Sequence, residues 1–135
     1  AGNYGTANAG EGGTANAGNY GTANAGEGGT ANAGNYGTAN AGYGGTANAG
    51  RWGTAIAGDG GTANAGNYGT ANAGYGGILN IKWWDGERYR IATAYVGEDG
   101  IKPNTPYKLN AKGKFVEARP SAGTVTGPDD VGQSG

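Results

Sequence analysis

The sequence predicts an all-β protein: a β-solenoid of about five 16-residue coils forming two short parallel sheets, closed by a small β-hairpin cap. Three observations carry this. From Gly2 to Ala73 one eight-residue phrase, Gly-x-x-Gly-Thr-Ala-Asn-Ala, runs nine times in tandem, and alternate copies match better than neighbours, so the period is 16. Gly supplies 33 of 135 residues while charged residues make up only 14%, too regular and too uncharged for ordinary disorder. Large apolar residues are scarce before position 78 and concentrated after it. Self-similarity at a short fixed period is the mark of a solenoid. Collagen is excluded because the Gly period is not three.

Each octad reads as one strand and one turn. Gly-Thr-Ala-Asn-Ala suits a short strand, and Gly-x-x suits a turn in which Gly adopts positive φ. Two octads make a coil, and coils stacked about 4.7–4.9 Å apart place like residues in columns. Five coils then give a rod on the order of 25 Å long. Side chains alternate across a strand, so either Thr and Asn point outward with Ala inside, or the reverse. The first arrangement is favoured, because Leu79 and Ile81 replace the two Ala residues in the final copy, where the core must widen into a plug. The alternative places Thr and Asn ladders inside an Ala-coated surface.

The variable slots make two further columns. Asn3-Tyr4, Asn19-Tyr20, Asn35-Tyr36, Arg51-Trp52 and Asn67-Tyr68 share one corner; Glu11, Glu27, Tyr43, Asp59 and Tyr75 share the other. Tyr4, Tyr20, Tyr36, Trp52 and Tyr68 form an aromatic ladder, whose stacking stiffens the rod or serves lateral self-association. Glu11 over Glu27 is a like-charge pair, locally unfavourable.

After Lys82 the repeat ends. Trp83-Trp84 precedes Asp85-Gly86, a dipeptide suited to a type I′ hairpin turn. A strand is expected over Ile91–Val96, a turn at Glu98-Asp99-Gly100 and a Pro-interrupted loop over 102–106. A second hairpin, Tyr107-Lys108-Leu109 with Lys114–Glu117, turns around Asn110–Gly113. If the strand through Trp83 and Trp84 continues, one indole faces the core and the other the surface. The expected division is a repeat domain over 1–77, a cap over 78–118 that covers the open end of the sheets, and a flexible tail over 119–135.

Composition narrows the chemistry. The net charge is −1, so bulk electrostatics favour neither nucleic acid nor an anionic membrane. The absence of Cys and His removes the strongest nucleophile and the usual general base, and the acids stand singly at turns, so no catalytic residues, metal site or cofactor is expected. The Gly-Gly-x-Gly-x-Asp pattern of calcium-binding β-rolls is missing. The chain begins within a repeat and without Met, which is expected of a fragment or processed product.

Trp84-Asp85-Gly86-Glu87-Arg88-Tyr89-Arg90, just after the last repeat, resembles a phrase of the bacterial ice-nucleation proteins, and Gly97-Glu98-Asp99-Gly100-Ile101 and Pro106-Tyr107 fall where that family has similar residues. The octads resemble that family's 16-residue coil, with Ala41–Ala49 the nearest copy; the similarity spans about residues 2–118. The family's Thr-x-Thr is Thr-Ala-Asn here, both halves of each coil carry it, and the Arg-rich coils that the family places next to its cap are missing, Arg51 being the only Arg of the repeats. The resemblance implies an extracellular or outer-membrane solenoid that binds ice or ordered water and can form homo-oligomers or filaments. Counted back from the cap, the family's active half falls on Thr6/Asn8, Thr22/Asn24, Thr38/Asn40, Thr54/Ile56 and Thr70/Asn72, and the opposite face repeats it at Thr14/Asn16, Thr30/Asn32, Thr46/Asn48 and Thr62/Asn64. The residues alone support a rigid grid of hydroxyl, methyl and amide groups. They also support a plainer reading: exposed strands tolerate Thr and Asn, Asn columns share hydrogen bonds, and the rod is a filament or surface coat.

Overall fold

The computed structural model describes residues 3–98 and 100–118, and the tail expected over 119–135 lies outside the described residues. Nine three- or four-residue strands repeat every eight residues: β1 Thr6–Asn8, β2 Thr14–Asn16, β3 Thr22–Asn24, β4 Thr30–Asn32, β5 Thr38–Asn40, β6 Thr46–Asn48, β7 Thr54–Ile56, β8 Thr62–Ala65 and β9 Thr70–Asn72. The cap contributes β10 Ile78–Trp84, β11 Tyr89–Tyr95, β12 Tyr107–Leu109 and β13 Phe115–Glu117. Odd-numbered strands of the repeat form one parallel sheet, ordered β1-β3-β5-β7-β9 and continued by β12-β13; even-numbered strands form the other, β2-β4-β6-β8-β10-β11. Register is in step throughout, Thr22 on Thr38, Ala23 on Ala39, Asn24 on Asn40. The solenoid of five coils is thus observed.

The interior is made of methyl groups. Ala23, Ala31, Ala39, Ala47, Ala55, Ala63 and Ala71 are fully buried, whereas the Thr and Asn on either side are partly exposed from β3 onward. Ala therefore points in and Thr and Asn point out, because alternation along three residues leaves no other choice once the central one is enclosed. An alanine core buries little apolar area per residue, so backbone ladders carry much of the cohesion. Thr38 N donates to Gly21 O at 2.9 Å and Ala25 N to Asn40 O at 2.8 Å, and the same bonds recur from coil to coil.

The corners depart from expectation in an instructive way. Positive φ falls on the second variable position of each turn, not on the Gly that opens it. On one corner that position is Gly (Gly12, Gly28, Gly44, Gly60, Gly76); on the other it is Tyr4, Tyr20, Tyr36, Trp52 and Tyr68, with φ of 61–65°. Bulky side chains rarely occupy this region, and they persist there only where the surroundings fix them.

The cap caps both sheets. β10 is at once the last even rung, pairing in parallel with β8, and the first strand of an antiparallel hairpin with β11. Leu79 and Ile81 fill the end of the alanine core and are essentially fully buried. The connection between β10 and β11 differs from the expected type I′ turn: Asp85 N bonds Arg88 O, the Arg88 N–H goes to the Asp85 carboxylate, and only Gly86 has positive φ where type I′ needs it at both central residues. The strand after it begins at Tyr89, two residues earlier than expected, and ends at Tyr95. Loop residue Asn104 donates its N–H to Ala73 O, which lays the loop over the last coil, and β12 pairs with β9 through Tyr107 and Ala71. Tyr107 is buried and its hydroxyl accepts the Lys102 N–H at 2.8 Å. Trp83 is half-buried against Gly113, where the tip of the second hairpin crosses it, while Trp84 is exposed and packs edge-on to Tyr89.

Candidate functional site

Two outward faces carry the candidate residues. The odd face bears Thr6, Thr22, Thr38, Thr54 and Thr70 in one column, and Asn8, Asn24, Asn40, Ile56 and Asn72 in the next. The even face bears Thr14, Thr30, Thr46 and Thr62, then Ile78, beside Asn16, Asn32, Asn48, Asn64 and Asn80. Strand spacing sets rows about 4.7–4.9 Å apart, and the Thr and Asn columns lie about 6.6–6.8 Å apart along each strand. All the sequence-predicted positions are brought together, in two separate arrays on opposite sides of the rod.

The two residue types differ in what they leave open. Asn side chains bond one another: Nδ2 of Asn32 donates to Oδ1 of Asn16 at 2.8 Å, Asn48 to Asn32 at 2.7 Å, Asn64 to Asn48 and Asn80 to Asn64 at 2.8 Å each. Thr93 Oγ1 on β11 closes this ladder by donating to Asn80 Oδ1 at 2.7 Å. On the odd face the ladder runs Asn40 to Asn24 to Asn8 and stops at Ile56, which has no polar atom to continue it. An amide has two donors and two lone pairs, so each interior Asn spends half its capacity on its neighbours and is locked in one orientation. The Thr hydroxyls of both columns make no hydrogen bond to another protein group among the described residues, and are open to solvent.

The corners add rigidity. In the aromatic column ring centroids are 5.0, 5.0, 6.3 and 4.7 Å apart from Tyr4 to Tyr68, and successive rings are within 13° of parallel. Below it, Asn19 Oδ1 accepts the Asn35 N–H and Asn35 Oδ1 accepts the Arg51 N–H, both at 3.0 Å. On the opposite corner Asp59 does the same for Tyr75, also at 3.0 Å. Where the slot holds Asn or Asp, its short side chain accepts the N–H of the next coil; Arg51 and the Glu and Tyr residues of the slot show that this bond is an added brace and not a requirement.

Among the described residues the cap holds the one strongly perturbed acid. The carboxylate of Asp85 is held down to about 2 by the side-chain hydrogen bond and ion pair with Arg90, and then by the N–H groups of Arg88 and Glu87. This is a turn-stabilising arrangement at an exposed hairpin tip, with the Glu87 carboxylate turned to Arg88. Among the described residues no group of three or more His, Cys, Asp or Glu side chains gathers as a metal site would require. Comparison with protein-family models, with curated proteins and with solved structures finds no match to this chain.

Proposed function

We propose that this chain is a non-catalytic, ice-binding solenoid of the ice-nucleation type, ordering water on its repeated Thr columns at an extracellular or outer-membrane surface. The observation that carries the reading is the column of five in-register Thr residues on the odd face, Thr6 to Thr70, whose hydroxyls are uncommitted and whose backbone is fixed by parallel pairing on both sides for Thr22, Thr38 and Thr54 and on one side for Thr6 and Thr70. A surface that is already ordered loses little freedom when it engages ordered water. The neighbouring Asn columns contribute mainly by stiffening the lattice, since their amides are partly spent on one another. The cap phrase Trp84–Arg90 and the 16-residue coil, which resemble the bacterial ice-nucleation proteins, support the same reading. Five coils make a patch on the order of 25 Å long, too small for strong nucleation; binding to ice or slowing its growth is the expected activity at this size.

Growth inhibition and ice-plane labelling of the full chain, compared with a Thr22→Lys, Thr38→Lys double variant, test this. Circular dichroism shows whether the variant stays folded. Activity in the parent and its loss in the folded variant is the expected result; an inactive parent overturns it at this length. The Asn ladders and stacked rings favour a second reading, a stiff filament or coat protein with no ice contact. It predicts that neither protein labels ice.

A further inference from the structure

From its free sheet edge we infer that strand β11 is a homodimerisation surface, on which a second copy of this chain adds its own β11 in antiparallel register centred on Ala92. Among the described residues β11 is the outermost strand of the even sheet, and its only partner there is β10. Val96 N bonds Gly77 O, so in this ladder Ala94, Ala92 and Arg90 face β10 with their backbone groups. The N–H and C=O groups of Tyr89, Ile91, Thr93 and Tyr95 then point away from it. Apart from Tyr95 O, which accepts the Glu98 N–H, these groups make no hydrogen bond among the described residues.

Arg90, tied to Asp85 on the opposite row, is the one charge on this edge strand, and the other common protections of a sheet edge are missing. At seven residues β11 is long, it has no Pro or Gly, and its outward face carries no charge. Ile91 is 68% exposed, Tyr95 52% and Tyr89 46%. The other end of the even sheet is a three-residue strand, and the odd sheet ends in three-residue strands on both sides.

The occupant is a second copy because the edge is complementary to itself. Tyr89-Ile91-Thr93-Tyr95 is palindromic in shape, aromatic at both ends and β-branched in the middle. Centred on Ala92, antiparallel pairing sets Tyr89 against Tyr95 and Ile91 against Thr93 twice over, pairs of the kind that stabilise sheets. The same register brings the Arg88 end of one strand to the Glu98 end of the other, and no like charges face each other on the outward row. The even sheets of the two copies then join into one continuous sheet, with a Thr/Asn array at each end of the dimer. The inference stands whether or not the arrays bind ice.

Sedimentation of the full chain and of Ile91→Lys tests the assignment, with an Ala92→Cys variant to fix the register. The expected parent species has twice the 13.2 kDa chain mass. Ile91→Lys, at an exposed position, is expected to keep its circular dichroism and to dissociate roughly a hundredfold more readily. Because the chain has no Cys, Ala92→Cys gives a single thiol at the two-fold axis. There the paired Cα atoms are about 4.5 Å apart, within disulfide range, and a covalent dimer should form on mild oxidation. A parent that stays monomeric at about 100 μM overturns the inference. So do slowly exchanging Ile91 and Thr93 amides in a monomer, which place the cover within the chain. A folded Ile91→Lys protein that remains dimeric overturns it too, and puts the contact elsewhere, such as the aromatic column.

Discussion

Gly44 and Gly45 are neighbours in one turn, and substituting each by Ala should separate two kinds of glycine requirement. A Cβ on Gly44 would meet nothing within 4 Å, but the residue sits at φ +67°. Gly44→Ala therefore suffers only the left-handed backbone strain, about 1–2 kcal/mol. A Cβ on Gly45 would lie 2.8 Å from Gly29 O, 2.9 Å from the Ala41 Cβ and 3.1 Å from Gly42 O. Two of these neighbours are backbone atoms, and the Gly29 carbonyl is already bonded to Thr46 N at 2.9 Å. No side chain can swing aside, so the coil itself must lift. Overpacking of a tight interior costs about 1–3 kcal/mol, and with a ladder bond stretched as well Gly45→Ala should lose about 3 kcal/mol or more. Urea unfolding followed by circular dichroism gives both numbers from the shift in midpoint. If Gly45→Ala proved as stable as Gly44→Ala, close coil approach would not be what fixes the second glycine, and the account of the corner would be wrong.

Four other substitutions probe the ladders and the cap. Asn48→Ala removes one bond to Asn32 and one from Asn64, and should cost about 1–2 kcal/mol. Asn72→Ala should cost less, since Asn72 has no side-chain partner across Ile56 among the described residues, and Ile56→Asn should join the broken ladder and recover about 1 kcal/mol; denaturant midpoints of the three variants check the order. Asp85, with its carboxyl lowered to about 2, contributes stability that is present above the ordinary carboxylate value of about 3.9 and disappears as pH falls toward 2. Asp85→Asn keeps an oxygen for the Glu87 and Arg88 N–H groups but loses the Arg90 ion pair, so the protection of those two amides, taken relative to intrinsic exchange at each pH, should lose its dependence on pH across that window. A parent hairpin whose exchange protection is the same at pH 5 and pH 2 would show that the ion pair does not hold the turn.

The 16-residue period, the number of coils, the inward Ala and outward Thr and Asn, and the positions of both cap hairpins could all be read from the sequence. Each follows from the strict alternation of a strand and from repetition, which are properties of neighbours along the chain. Tertiary structure decided the rest. Tyr36 at φ +63° could not be foreseen from Asn35-Tyr36 alone, because the residue is held there by contacts with Tyr20 and Trp52, sixteen residues away on either side. Asn48 and Thr46 look equivalent in the octad, yet one is committed to its column and the other is open to solvent, a distinction that appears only when coils stack in register. The double role of β10, and with it the free edge of β11, also depends on which strands end up side by side. Local patterning specified the coil; the spacing between coils, less than 5 Å for each rung, determined which of its groups remain available for function.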